Sequence, residues 1–402
     1  MDEFPRVRSV QAMSYEEEGG QMVALNANDG LADQAVVVSL PAFYLITLMD
    51  GSRDINRICG EFQLQFQREV APADVENLVN QLDKALMLDN DRYRQAAKRA
   101  LDEFLVAPVR APVHAGKSYP DQEEALSSII EKELADHPAA GADSAESVIV
   151  PHIDFRVGAA MMAEGWREIP SGPDNVIVIL GTGHYLADDF FACIDKDFET
   201  PLGPMEVDRE FLAALGGNFG EDLFKNRISH KAEHSIEFQA LFMASRARKG
   251  SAAKAVPILL SFPENIWEMD HLLFNGSRVD RFVASLVKTA AECGRKVRYV
   301  ASVDFSHVGA RFGDEEPLTD HRLRIIERED RELMEAVKNI DAKRFLSRIR
   351  EFNPKNRICG FPPLYVLLNL TKAKRGKILD YRQNLEGEME SVVSFASMAL
   401  YE

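Results

Sequence analysis

The sequence predicts an α/β protein in which helices pack on both faces of a mixed β-sheet, preceded by a smaller helical domain. Short and almost entirely apolar runs recur along the second part of the chain, at residues 148–150, 176–180, 256–260 and 297–301. Such runs are typical of central strands that are covered on both faces. Segments with helical spacing lie between them, as at residues 159–166 and 236–247. This alternation predicts an α/β sandwich whose functional groups lie at strand ends.

The first hundred residues follow a different pattern. Apolar residues have helical spacing at 55–66 and again at 75–86, and an apolar strand at 36–38 precedes both segments. Small helices with one or two strands predict a winged-helix-like domain. Prolines soon after residue 107 mark a linker, so we expect one domain at 1–107 and a larger one at 108–402.

Composition excludes several classes of function. The 402 residues carry a formal net charge of −17 and no stripe of Lys and Arg, which argues against a nucleic-acid partner. The longest apolar stretch, residues 35–49, is shorter than the roughly 20 residues that span a bilayer, so no membrane partner is expected. The acidic N-terminus differs from a signal peptide, and we expect a cytoplasmic protein. Four cysteines without a CxxC pair predict buried free thiols.

Four histidines lie where apolar runs give way to small or polar residues. His152 and His184 each follow a predicted strand, and His234 and His307 lie in similar short polar segments. Because an α/β fold gathers the residues at its strand ends, we expect these side chains to line one pocket. Neutral imidazole binds iron, zinc or copper, and two histidines with one further ligand leave open positions on the ion. The pattern therefore predicts a metal site that includes His152 and His184.

Eight segments, in family order, carry a resemblance to a known family. They are residues 113–120, 151–152, 180–184, 200–203, 233–237, 304–309, 358–360 and 391–396. From about residue 109 to 402 the chain resembles the Memo family, including the bacterial proteins called AmmeMemoRadiSam system protein B. The fold of that family is similar to the LigB subunit of class III extradiol dioxygenases. The resemblance implies a LigB-like α/β sandwich around a mixed sheet.

A second and less specific resemblance concerns the N-terminal domain. Residues 45–51, 55–62 and 75–88 match the hydrophobic pattern of the PqqD-like domain, which recognises a leader peptide in peptide-modifying systems. A small helical appendage without a ligand would show the same pattern, because fold alone does not give function.

The Memo resemblance also implies a ligand set. The family's metal-binding histidines fall on His152 and His184, and the cysteine ligand of some members aligns with Ser306. A serine hydroxyl is a weak ligand compared with a thiolate or carboxylate. Asp154 is the alternative third ligand, since residues two apart on an extended backbone face the same side. Asp154 is equally compatible with hydrogen bonds to backbone amides in a turn.

The remaining candidates are proton-transfer and orienting groups. His234 resembles the catalytic base of the dioxygenase relatives, and Glu237, one helical turn later, is expected to orient it or to receive a proton. The alternative for Glu237 is a capping role at the helix start. Asp304 and His307 are expected to fix imidazole tautomers, or else to satisfy buried loop amides.

These assignments lead to three functional hypotheses. The first is a metal-dependent redox enzyme, dioxygenase-like in its site, that uses non-haem iron or copper on an unknown small molecule or peptide. The second is a non-catalytic adaptor of the AmmeMemoRadiSam system, which binds a peptide or a radical-SAM partner protein. The third is a metal hydrolase with zinc, a less expected metal. Metal analysis discriminates among them.

Overall fold

The protein is described by a computed structural model. It describes residues 4–8, 10–17, 20–26, 31, 35–136, 144–170, 172–186, 189–250, 252–263, 266, 276–387 and 390–402. The chain divides into two compact units, Met1–Ala107 and Pro108–Glu402.

In the residues that the structure describes, the first unit combines a small antiparallel sheet with four helices. Its elements are β1 (Gln11–Glu17), β2 (Gly20–Asn26), β3 (Val36–Ser39), α1 (Leu40–Thr47), α2 (Ile55–Phe66), α3 (Pro72–Lys84) and α4 (Asp91–Val106). The strands pair in the order β1-β2-β3. The apolar spacing that predicts α2 and α3 places Ile58, Val75 and Leu82 in a fully buried core. The side chain of Asp54 caps α2 by accepting a hydrogen bond from the Arg57 amide.

The second unit is built on an eight-stranded mixed sheet. The described strands of the whole unit are β4 (Val109–Arg110), β5 (Ser147–Val150), β6 (Asn175–Thr182), β7 (Phe191–Cys193), β8 (Asp197–Phe198), β9 (Lys254–Leu260), β10 (Lys296–Ser302), β11 (His307–Gly309), β12 (Arg375–Glu386) and β13 (Ser391–Tyr401), and all except β4 and β8 belong to this sheet. The sheet order is β11-β13-β5-β10-β6-β9-β7, with β12 paired to β13, while β4 pairs with β8 separately. Strands β5, β10, β6 and β9 are parallel, and β7, β13 and β11 are antiparallel to their neighbours. The prediction of a mixed sheet is confirmed.

Helices cover both faces of this sheet. They are α5 (Glu123–Asp136), α6 (Phe155–Glu168), α7 (Arg209–Phe219), α8 (His234–Arg248), α9 (Arg278–Glu292), α10 (Asp320–Lys338), α11 (Ala342–Asn356) and α12 (Phe361–Leu370). Alternate residues of β6, such as Val178, share one buried core with Phe282 of α9 and Leu367 of α12. Helices α6 and α8 pack against β5 and β6. The parallel strands are therefore buried on both sides, which explains their continuous apolar sequences.

No helix among the described residues is both long enough and apolar enough to cross a membrane.

Candidate metal centre

Three histidines meet at the carboxyl edge of the parallel strands. His152 and His184 lie two residues after β5 and β6, and His234 is the first residue of α8. The ring centroids are separated by 5.0 Å for His152 and His184, 5.2 Å for His152 and His234, and 4.8 Å for His184 and His234. One nitrogen from each ring lies within 4.8 Å of the other two. The three imidazoles thus lie close enough that small side-chain movements would bring them onto one ion.

Hydrogen bonds fix the orientation of His152. Its Nδ1 lies 2.8 Å from the carbonyl oxygen of Ser302, which can only accept, so Nδ1 carries the proton and Nε2 has a free lone pair. Asp304 accepts hydrogen bonds from the amides of His152 at 3.0 Å and Ile153 at 3.2 Å. Burial raises the pKa of the Asp304 carboxyl to about 6. The Asp304 carboxylate therefore holds the loop that carries His152, which is the second of the two roles expected for Asp304.

Glu233 holds the other two histidines. It caps α8 by accepting hydrogen bonds from the amides of His234 and Ser235 through Oε1, at 2.9 and 3.0 Å. The same oxygen lies 3.0 Å from Nδ1 of His184 and 3.3 Å from Nδ1 of His234. The two imidazoles stack with an interplanar angle of 13°. One buried carboxylate therefore orients both rings.

The negative charge of Glu233 and the positive charge of His184 stabilise each other. Burial acts to raise the pKa of Glu233, but the adjacent His184 outweighs it and the pKa is lowered. Desolvation acts to lower the pKa of His184, yet the Glu233 carboxylate raises it well above the ordinary value. His234 has its pKa lowered by desolvation, with the neighbouring histidines adding to that effect.

The start of α8 reaches this position because residue 181 is glycine. A Cβ at Gly181 would lie 2.7 Å from side-chain atoms of both Ser235 and Ile236. The hydroxyl of Ser235 also donates to the carbonyl of Thr182 at 2.8 Å. A larger residue at 181 would push α8, and with it His234, away from the strand end.

A fourth donor comes from a distant part of the sequence. The Sγ of Cys359, which lies just before α12, is 3.4 Å from Nε2 of His152. Burial acts to raise the pKa of this thiol, but His152 and His184 outweigh it and lower the pKa to about 7. A Cβ at Gly360 would lie 2.7 Å from the carbonyl oxygen of Asp304, so glycine allows this close approach. The sequence predicts only a buried thiol here, although the segment 358–360 is among those that resemble the family.

Ser306, the third ligand that the resemblance implies, has hydrogen-bond partners other than the histidines. Its hydroxyl donates to Asp330 at 2.6 Å, and its amide donates to the hydroxyl of Ser394 at 2.8 Å. Asp330 also accepts from Ser394 and Tyr381. The structure therefore places the Ser306 side chain in a separate buried cluster, because the backbone after β10 turns it toward α10.

Asp154 makes the turn contacts that the sequence also allows. It caps α6 by accepting from the amide of Arg156 at 3.0 Å, and it forms an ion pair with the side chain of Arg156 at 2.8 Å. Burial acts to raise its pKa, but the Arg156 contacts outweigh this and lower the pKa. Among the described residues, the ligand atoms that converge within 4.8 Å of one another belong to His152, His184 and His234, and neither Asp154 nor Cys359 is in that group.

His307 and Glu237 are near the site but have other partners. Nδ1 of His307 lies 3.1 Å from the Phe305 carbonyl, and its ring packs edge-on against Phe312. Burial lowers the pKa of His307. Glu237 accepts hydrogen bonds from the Tyr119 hydroxyl at 2.5 Å, the His114 amide at 2.8 Å and the Arg110 guanidinium. Glu237 belongs to α8 and thus holds the segment that precedes α5 against this helix. It orients His234 only by fixing the position of α8.

The Asp330 cluster gives a pH-dependent prediction. Burial raises the pKa of Asp330 to about 6, although three hydroxyls donate to it. The folded state therefore binds this proton more tightly than the unfolded chain, whose Asp pKa is about 3.9. The contribution of Asp330 is most stabilising below pH 4, and about 3 kcal/mol of unfolding free energy is lost as pH rises to 6. Asp330→Asn should flatten this slope in urea unfolding between pH 4 and 6. An identical slope in both proteins would show that Asp330 does not titrate there.

Comparisons with known proteins agree with this architecture. A family model described as Memo-like protein matches residues 110–399. A MEMO1 family protein of Aquifex aeolicus is 28% identical over 400 residues, covering 99% of this chain and 100% of the relative. A MEMO1 family protein of Thermococcus kodakarensis is 30% identical over 310 residues, covering 72% of this chain and 98% of the relative. One of Thermus thermophilus is 26% identical, covering 82% of this chain and 94% of the relative. The chain belongs to the Memo-like family.

Proposed function

We propose that this protein is a metal-dependent redox enzyme that uses iron or copper and acts on a substrate still to be identified. The observation that supports this proposal is the convergence of three imidazoles and one thiol at one sheet edge. The finer resemblances, to AmmeMemoRadiSam system protein B and to LigB-type dioxygenases, belong to the same proposal.

The residues present fit such an ion. In this proposal His152, His184 and Cys359 are the ligands, so Cys359 replaces Ser306 and Asp154 as the third donor. Hydrogen bonds from Nδ1 to Ser302 and to Glu233 leave Nε2 of each ligand histidine as the ligand atom, and on His184 the ion would displace the second proton that the raised pKa favours. Imidazole with thiolate is a donor set that iron, copper and zinc accept. A bound iron or copper ion would supply Lewis-acid activation and a route for electron transfer.

His234 is proposed as the base. Its Nδ1 lies 3.3 Å from the Glu233 carboxylate, which favours a proton on Nδ1 and leaves Nε2 to accept another. Its ring stacks on that of His184, which keeps this nitrogen beside the ligands. Glu237 is a positioning residue in this scheme, since it anchors the segment that packs His114 against His234, with ring centroids 5.7 Å apart.

Two single variants distinguish the proposed ligand, His184, from the proposed base, His234. His184→Ala should weaken iron(II) or copper(I) binding by about 100-fold or more, because it removes one of three donors. His234→Ala should change the affinity by less than about threefold, a difference of under 1 kcal/mol. Anaerobic titration against a competing chelator measures both. Equal losses in the two variants would make His234 a ligand and contradict its role as base.

The N-terminal unit adds a second element to the proposal. The relative from Aquifex aeolicus matches 99% of this chain, so the match extends into residues 1–107. We propose that this unit, if PqqD-like, recognises a peptide or partner protein. Binding of a partner by full-length protein together with negligible metal binding would favour the adaptor hypothesis over the enzyme.

A further inference from the structure

A polar cleft lies at the opposite end of the sheet from the histidines. Its volume is about 580 Å³, and its walls include the beginnings of β10 and β12 and the residues just before β5. Strands β5 and β10 run parallel, so their amino ends lie at one edge and His152 follows at the other. This cleft is therefore separate from the proposed metal centre.

Three cations on the cleft form no ion pair with any residue that the structure describes. They are Lys296, Arg298 and Lys372. The Nε of Arg298 is buried without a hydrogen-bond partner among the described residues, while its Nη1 donates to the Ala145 carbonyl at 3.2 Å. A chain with a net charge of −17 offers many acids to pair with, so unpaired cations gathered on one cleft indicate an external anion.

The other charged groups of the cleft are already engaged. Arg295 pairs with Asp208 at 2.5 Å, and the guanidinium of Arg375 lies 4.5 Å from the ring centre of Tyr401. Glu146 is buried and accepts from the amides of Lys372 and Ala373, both at 3.0 Å. These bonds hold the loop before β12 in place. Glu402 also lines the cleft, so the cations exceed the acids there.

We propose that this cleft binds a small ligand with two or more phosphate groups. A single phosphate would fill only part of about 580 Å³, whereas three separate cations match several charged groups on one molecule. Arg donates to phosphate oxygens through its planar fork, and Lys binds them as a point charge. Lys296 and Lys372 are both exposed, so their ammonium groups are accessible to a ligand in the cleft.

The test uses inorganic triphosphate and the metal-free full-length protein at low salt, measured by calorimetry. Wild type should bind one triphosphate saturably, with an affinity that falls as salt rises. The double variant Lys296→Glu, Lys372→Glu should lose about tenfold or more in affinity, since two attractive contacts become repulsive. Both lysines are exposed, so the fold should be unaffected, and circular dichroism checks this.

A matched control changes the charge equally elsewhere. Arg324→Glu, Arg328→Glu alters two exposed residues of α10 and should change the affinity by less than about twofold. His184→Ala should also leave triphosphate binding unchanged. Equal losses of affinity in the two charge-reversed proteins would show that only the net charge of the protein matters, and would overturn the proposal. A lack of binding at millimolar triphosphate would also overturn it. Citrate should bind more weakly than triphosphate; tighter citrate binding would overturn the assignment to phosphate.

Discussion

Replacing Cys359 with serine should lower the affinity for iron(II) or copper(I) by about 100-fold or more. The Sγ of Cys359 lies 3.4 Å from Nε2 of His152, and the neighbouring histidines favour its thiolate by lowering the thiol pKa to about 7. A thiolate is charged and polarisable, whereas a serine hydroxyl is neutral and a weak ligand. The substitution exchanges one atom in a loop, so circular dichroism should show an unchanged fold.

The matched control is Ser306→Ala. The Ser306 hydroxyl donates to Asp330, so its removal should leave metal affinity within about threefold of wild type while affecting stability through the Asp330 cluster. Anaerobic chelator competition on both variants is the measurement. Loss of metal in Ser306→Ala with retention in Cys359→Ser would reverse our ligand assignment and restore the family alignment at residue 306.

Glu237→Gln should lower the free energy of unfolding of the C-terminal unit by about 3–5 kcal/mol. Arg110 and Glu237 form an ion pair whose side chains are 0% and 1% exposed. Burial acts to raise the pKa of Glu237, but Arg110 outweighs it and lowers the pKa, so the carboxylate is charged. The amide would leave a buried guanidinium without its counter-charge. Thermal and urea unfolding, followed by tryptophan fluorescence, report the loss.

A double variant separates the pair from its surroundings. Arg110→Met with Glu237→Leu removes both charges and should destabilise by less than the sum of the two single substitutions, since no unpaired charge remains. Some loss should persist, because Arg110 also donates to the carbonyls of His230 at 3.0 Å and Glu233 at 2.7 Å. Additive losses would show that the two charges do not interact across the pair.

The parts of the site that could be predicted from sequence are those next to predicted strands. The apolar runs that form β5 and β6 are followed by His152 and His184. If the two strands are parallel, both histidines lie at the same edge of the sheet. His234 begins a helix that the sequence also predicts. These three rings lie close together in the structure, while His307 has other partners, and the role of the three histidines as one site stays a prediction.

Other features depend on long-range contacts that no local pattern records. Cys359 contacts His152 across 207 residues of sequence, and Glu233 contacts His184 across 49. Asp330 draws the Ser306 hydroxyl away from the position that alignment alone suggests. For Asp154, the sequence is compatible with a ligand role and with hydrogen bonds in a turn, and in the structure its side chain caps α6. The hairpin of β12 and β13 also lacks a clear alternating signal, since every residue of β13 is buried.

The most direct test of the central claim is the metal content of full-length protein purified without oxygen or chelator. Our account predicts near-stoichiometric iron or copper per chain, and loss of that metal in His184→Ala. Near-stoichiometric zinc would instead favour a hydrolase. Protein that carries no metal and does not bind added iron(II) or copper(I) would contradict the account and favour a binding protein.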